Sequence, residues 1–244
     1  MSNSSRRLAH PSWDVSRHQY AHRGLWRPDG PGENTIASFI AARRCGLGVE
    51  MDVGLSRDGE AIVFHDEDLR RMWGLPSRLR DLDLAELKTL RFPDGSAVPT
   101  LEEAIAALGE TPMLIELKAY SDPEEIAWKA LRLLSGAQGR FALMSFSTDT
   151  VQTLLASAPQ IPIGLLVDAS TDQDLGGLLD WMMTRGCAFA GPNLALLARR
   201  EFADCPLPCV VWTVRRREDL PDRPGYAPIF EGLEPEEVRQ PHDS

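Results

Sequence analysis

Two hydrophobic rhythms take turns along this chain. Apolar runs of strand character are QYAH (19–22), GVEMDVGL (48–55), MLIELK (113–118), FALMSF (141–146), PIGLLV (162–167), AFAG (188–191), CVVWTV (209–214) and APIFEG (227–232). Segments of helical period lie between them: ENTIASFIAARRCG (33–46), TLEEAIAAL (100–108), PEEIAWKALRLL (123–134), TDTVQTLLASA (148–158), TDQDLGGLLDWMMTRG (171–186), LALLARREF (194–202) and the short RREDL (216–220). Asn34 or Thr35 caps the first helix, and Gly46 stops it. Thr100 and Glu103 form a capping box, and Pro123 opens its helix. The turn SRDG (56–59) folds GVEMDVGL back onto AIVFH (61–65) as a hairpin. Residues 66–100 break the rhythm: they are charged, proline-bearing and contain one helical piece, DLAELKTL (83–90).

Alternating strands and helices make a parallel sheet, because each crossover needs a helix. Eight such units in about 230 residues predict an α/β fold, a closed TIM (β/α)₈ barrel with a short insertion after the second strand. The open doubly wound sheet is the alternative. It lacks support, since no GxGxxG follows the first strand and no GxxxxGK[ST] occurs. The reading is one domain over 1–244, with 66–100 as the insertion and flexible tails at 1–14 and 236–244.

A formal charge of −10 argues against a broad nucleic-acid or anionic-membrane surface. No apolar run approaches the ~20 residues that cross a bilayer, and the opening MSNSSRRLAHPSWD has no apolar signal region. Cys45, Cys187, Cys205 and Cys209 are too few and scattered for a disulfide framework. The CPLPC stretch could clip a metal, but packed free thiols are the plainer reading. A cytoplasmic protein is expected. His10, His18 and His242 read as surface residues.

Candidate chemistry falls at strand ends, where a barrel keeps its active site. His22 and Arg23 end the first strand, Glu50 and Asp52 lie on the second, Glu116 and Lys118 end the third, and Trp212 ends the seventh. Side chains two apart share a strand face, so Glu50 and Asp52 point the same way, while Val49, Met51 and Val53 point the other. An acid pair of this kind is commonly just a solvated face, and a lone histidine such as His65 is commonly structural. Charges inside strands covered on both faces fit that plain reading poorly. Three converging carboxylates conflict unless a cation joins them. Oxygen ligands without a nearby thiol suit Mg²⁺ or Ca²⁺ better than Zn²⁺.

In order along nearly the whole chain, HRG (22–24), GENT (32–35), EMDV (50–53), SRDGEAIVFHD (56–66), VPTLEEAI (98–105), LIELK (114–118), SF (145–146) and VWTV (211–214) resemble the glycerophosphodiester phosphodiesterase family. The resemblance implies a TIM barrel that hydrolyses small glycerophosphodiesters to sn-glycerol 3-phosphate and an alcohol with a divalent cation. It implies His22 and His65 as the acid–base pair, and Glu50, Asp52 and Glu116 as metal ligands. It implies Arg23 and Lys118 as phosphate contacts and Trp212 as a wall for the glycerol or leaving group. Two alternatives remain at this point: a lysophospholipid- or sphingolipid-type phosphodiesterase or lyase that stops at a cyclic phosphate, and a non-catalytic phosphate-binding barrel. The chain departs from the family pattern at Gly32, where PENT is usual. It departs again at Arg215, where WTVN is common, and in IFEGLEP, where an Asp-Pro pattern is usual. The last two departures are expected on the far side of the mouth, where they bear on substrate identity. Oligomeric state leaves no mark in the sequence.

Overall fold

The computed structural model describes residues 13–120, 122–158, 160–169 and 174–238. Eight parallel strands close on themselves: β1 (Tyr20–Ala21), β2 (Gly48–Leu55), β4 (Pro112–Leu117), β5 (Arg140–Ser145), β6 (Ile163–Val167), β7 (Phe189–Pro192), β8 (Cys209–Val214) and β9 (Tyr226–Phe230). β1 pairs with both β2 and β9, which completes the (β/α)₈ barrel. The hairpin partner β3 (Ala61–Val63) runs antiparallel to β2, with Val53 opposite Val63, and stands outside the ring.

The crossover helices form where capping chemistry permits. α1 (Ile36–Arg44) is capped by Thr35, whose hydroxyl accepts from the Ser38 amide at 3.2 Å. α2 (Arg70–Trp73) and α3 (Leu84–Leu87) belong to the insertion. α4 (Leu101–Leu108) has the reciprocal Thr100–Glu103 box. α5 (Pro123–Leu134), α6 (Thr148–Ser157) and α7 (Leu175–Arg185) follow their strands. The segment 194–202, expected as one helix, is a 3-10 turn (Leu194–Ala198) followed by α8 (Arg200–Ala203). Asn193 accepts from the Ala195 amide, and the extended Arg199 (φ −85°, ψ 141°) separates the two pieces. The expected helices at 216–220 and 83–90 shorten to a 3-10 turn (Arg217–Asp219) and α3. A last turn, α9 (Pro235–Val238), buries Val238. The tails expected at 1–14 and 236–244 lie mostly outside the described residues. At their inner ends Asp14 caps a 3-10 turn and Val238 packs in the core.

Parity along each strand sorts the core into two parts. Val49, Met51 and Val53 on β2, with Met113, Ile115 and Leu117 on β4, face the helices. Tyr20, Leu114, Ala142, Met144, Phe189, Val210, Ala227 and Ile229 form a separate cluster inside the ring. The in-facing positions are apolar at the bottom of the barrel and ionisable at the top. Residues 66–100 bring a third cluster, in which Leu69, Leu79, Leu87, Phe92 and Val98 pack on Ile62 and Phe64. Trp73 lies between Phe64 and Phe92 at ring distances of 5.3 and 5.1 Å. All four cysteines are free thiols. Among the described residues no helix is long and apolar enough to cross a membrane.

Gly164 makes room for the Phe189 ring inside the barrel, since a β-carbon there would sit 2.4 Å from it. Gly164→Ala is expected to cost about 1–3 kcal/mol by overpacking, read from urea denaturation.

Candidate active site

A cavity of about 620 Å³ opens at the carboxyl ends of the strands. All eight candidate residues line it: His22, Arg23, Glu50, Asp52, His65, Glu116, Lys118 and Trp212. Register explains the convergence. Asp52 is directly opposite Glu116 across the β2–β4 ladder, and Glu50 is one in-facing step below Asp52. One oxygen from each of Glu50, Asp52 and Glu116 lies within 4.8 Å of the others, and all three residues are buried.

Two loops brace this cluster. In HRG, Gly24 adopts φ +82°, and a β-carbon there would stand 2.3 Å from Ser38 Oγ, so glycine lets the turn press on α1. Arg23 and Asn34 both have left-handed backbones, and the Asn34 amide donates to the Arg23 carbonyl at 2.8 Å. The Arg23 amide donates to Glu50 Oε2 at 2.9 Å. Asn34 does not cap α1. Its Nδ2 donates to Asp52 Oδ2 at 2.9 Å.

Lys118 Nζ stands 2.8 Å from Asp52 Oδ1 and 2.5 Å from Glu116 Oε1. Burial opposes its charge, but Asp52 and Glu116 together hold the ammonium well above its ordinary range. Burial likewise opposes ionisation of Asp52, yet Lys118 and Arg23 outweigh it and keep this carboxyl well below the usual range. Glu116 is pushed up to about 7 by burial, which Lys118 offsets only in part. Glu50 is raised well above the usual carboxylate range, by burial and then by the charges of Asp52 and Glu116. With all three ionised, these carboxylates outnumber Lys118 and Arg23, and Arg23 is shared with Glu33 as well.

The two histidines are wired alike. His22 Nδ1 lies 2.7 Å from Glu231 Oε2, and His65 Nδ1 lies 2.6 Å from Asp66 Oδ1. Hydrogen bonding to His22 is the main reason the Glu231 carboxyl falls to about 2. Burial opposes ionisation of Asp66, but Arg71 and His65 lower its carboxyl. Both acids are therefore ionised near neutral pH and accept the Nδ1 protons, which leaves each Nε2 as the nitrogen that can exchange one. Burial lowers the pKa of His65, with Lys118 and Arg23 adding to it against the pull of Asp52.

Glu231 corrects an expectation. The IFEGLEP departure is not remote from the candidate histidines: its glutamate is the partner of His22, and Arg215 reaches the same carboxylate at 3.3 Å. Gly32 ties its loop to the insertion by donating to Asp94 Oδ2 at 2.9 Å. Trp212 Nε1 donates to the Gly191 carbonyl at 2.7 Å, which fixes the ring as a wall. Phe146 meets it edge-on at 5.3 Å and adds a second wall that sequence reasoning left without a role.

The glycerophosphoryl diester phosphodiesterase family model matches residues 21–223. The chain belongs to that family. It is 34% identical over 160 residues to a glycerophosphodiester phosphodiesterase of Caldanaerobacter subterraneus, a match covering 60% of this chain and 65% of that protein. The family fold recurs in a solved glycerophosphodiester phosphodiesterase of Thermotoga maritima, with a TM-score of 0.73 and 26% identity over 86% of this chain and 92% of that one. An Oleispira antarctica phosphodiesterase, solved with the product sn-glycerol-3-phosphate, shares the fold at a TM-score of 0.74 and 24% identity, covering 87% and 92% of the two chains.

Removing the ammonium from this cluster leaves buried Glu116 without its paired cation and Asp52 with Arg23 alone. Lys118→Met is expected to lose about 3–5 kcal/mol at pH 7 in the absence of divalent ions, measured by chemical denaturation.

Proposed function

We propose that this family member hydrolyses glycerophosphodiesters to sn-glycerol 3-phosphate and an alcohol, with Mg²⁺ or Ca²⁺ as cofactor. The observation that carries the reading is the pair of imidazoles, each anchored through Nδ1, facing one cavity around three buried carboxylates. The product bound to the Oleispira relative supports the glycerol phosphate end of the reaction.

The residues fit a hard cation. Glu50, Asp52 and Glu116 offer oxygen only, and among the described residues no lysine or arginine side chain forms an ion pair with Glu50. A bound Mg²⁺ or Ca²⁺ supplies Lewis-acid stabilisation of charge that builds on the phosphoryl oxygens. Lys118 has three N–H donors and uses two of them on Asp52 and Glu116, so one is available to a phosphate oxygen. The Arg23 Nε is buried without a hydrogen-bond partner, although Asp52 Oδ2 is 3.3 Å away, and it suits the same role. Their charge-assisted bonds strengthen as the phosphoryl group gains charge.

Proton transfer falls to the histidines. One Nε2 takes the proton of the neighbouring glycerol hydroxyl as that oxygen attacks phosphorus, and the other gives its proton to the departing alcohol oxygen. Water then opens the cyclic phosphate with the roles reversed. Trp212 and Phe146 wall the cavity against the glycerol or the leaving group. Four free thiols agree with a reducing compartment, which supports a cytoplasmic enzyme.

His22→Ala and His65→Ala are each expected to lower turnover of glycerophosphocholine about 10²–10⁴-fold with the fold intact by circular dichroism. Near-normal turnover in both removes the proposal. Dialysis against EDTA is expected to abolish activity, and Mg²⁺ or Ca²⁺ to restore it. Phosphorus NMR of the products separates full hydrolysis from arrest at the cyclic phosphate.

A further inference from the structure

One side chain outside the cavity bonds to the carboxylate partners of two residues that line it. Arg71, on α2 of the insertion, donates through Nε to Asp66 Oδ2 at 2.6 Å. Its Nη1 and Nη2 donate to Glu33 Oε2 and Oε1 at 3.1 and 2.5 Å. Beyond Asp66 lies the His65 Nδ1, 2.6 Å from the other carboxylate oxygen. Beyond Glu33 lies Arg23, whose Nη1 donates to Oε1 at 3.1 Å. An unbroken line of charged hydrogen bonds thus runs His65–Asp66–Arg71–Glu33–Arg23, from an imidazole that lines the cavity to a guanidinium that also lines it.

We propose that Arg71 is a positioning residue that sets His65 and Arg23 relative to each other, so that the insertion is part of the catalytic apparatus. The inference rests on the functional reading above. A planar guanidinium with donors on two edges can hold two carboxylates at a fixed angle, which an ammonium cannot. The Arg71 side chain is 46% exposed. Its partners Glu33 and Asp66 are 12% and 19% exposed, so the guanidinium holds two sheltered carboxylates in a fixed orientation. The arginine behind the acid of His22 is placed differently: Arg215 is 61% exposed and reaches Glu231 at 3.3 and 3.4 Å.

The test combines kinetics with a spectroscopic measurement. Arg71→Ala and Arg71→Lys are assayed on glycerophosphocholine with Mg²⁺, with and without added guanidinium. The His65 Nδ1 proton is followed by ¹⁵N-histidine NMR and assigned against His65→Asn. Misplaced reacting groups are expected to cost about 10²-fold in kcat. KM should stay within about threefold, since uniform binding is retained. Guanidinium should recover Arg71→Ala at least in part, Arg71→Lys should be only partly active, and the His65 resonance should shift or broaden. A kcat for Arg71→Ala within about twofold of wild type overturns the proposal. So does a loss that guanidinium does not repair while the resonance is unchanged. The resonance needs no turnover. A wild-type protein inert toward glycerophosphodiesters would therefore sink the functional reading, while the NMR comparison still decides the role of Arg71.

Discussion

Everything at the mouth of this barrel answers to one problem, the crowding of Glu50, Asp52 and Glu116 where water is scarce. The Lys118 ammonium, shared between two of them, is the interaction that lets the apo site exist. Taking charge out of water is costly, and a shared counter-ion only partly offsets it. The remaining imbalance shows in the raised carboxyls of Glu50 and Glu116. The site is thereby prepared for positive charge and, through the unused donors of Arg23 and Lys118, for an anion held beside it. Strong opposing demands of this kind are typical of functional sites.

Much of this was legible in the sequence because it depends on short-range periodicity. The two-residue repeat of β2 puts Glu50 and Asp52 on one face whatever the rest of the chain does. The ladder to β4 brings Glu116 level with Asp52 once the barrel topology is granted. The partner of His22 was not legible: Glu231 lies 209 positions away, and no local spacing encodes a contact made only when the ring closes. Asn34 misled for a related reason. At the start of a helix it has the chemistry of a cap, but its left-handed backbone turns the side chain to Asp52 and leaves the capping to Thr35. The helix expected over 194–202 failed because Asn193 and the extended Arg199 offer local alternatives that outweigh its apolar period.

Residues 66–100 read in the sequence as an interruption and in the structure as a small packed unit with its own apolar centre. Charged contacts add to the apolar packing that joins it to the barrel. Arg71 reaches Glu33, Asp94 holds the Gly32 amide, and Arg80 pairs with Glu125 on α5 at 2.5 Å. Apolar packing keeps the unit intact, while directional polar contacts fix its orientation against the barrel.

The long span between His22 and Glu231 also bears on the protein during its synthesis. An imidazole near the start of the chain leaves the ribosome many seconds before its carboxylate partner, at ~5–20 residues per second. Until β9 emerges, β1 has one of its two neighbours missing and His22 has no anchor for its ring. Under the proposed acid–base role of His22, a half-made polypeptide is therefore chemically silent, and reactivity arrives together with the closure of the ring.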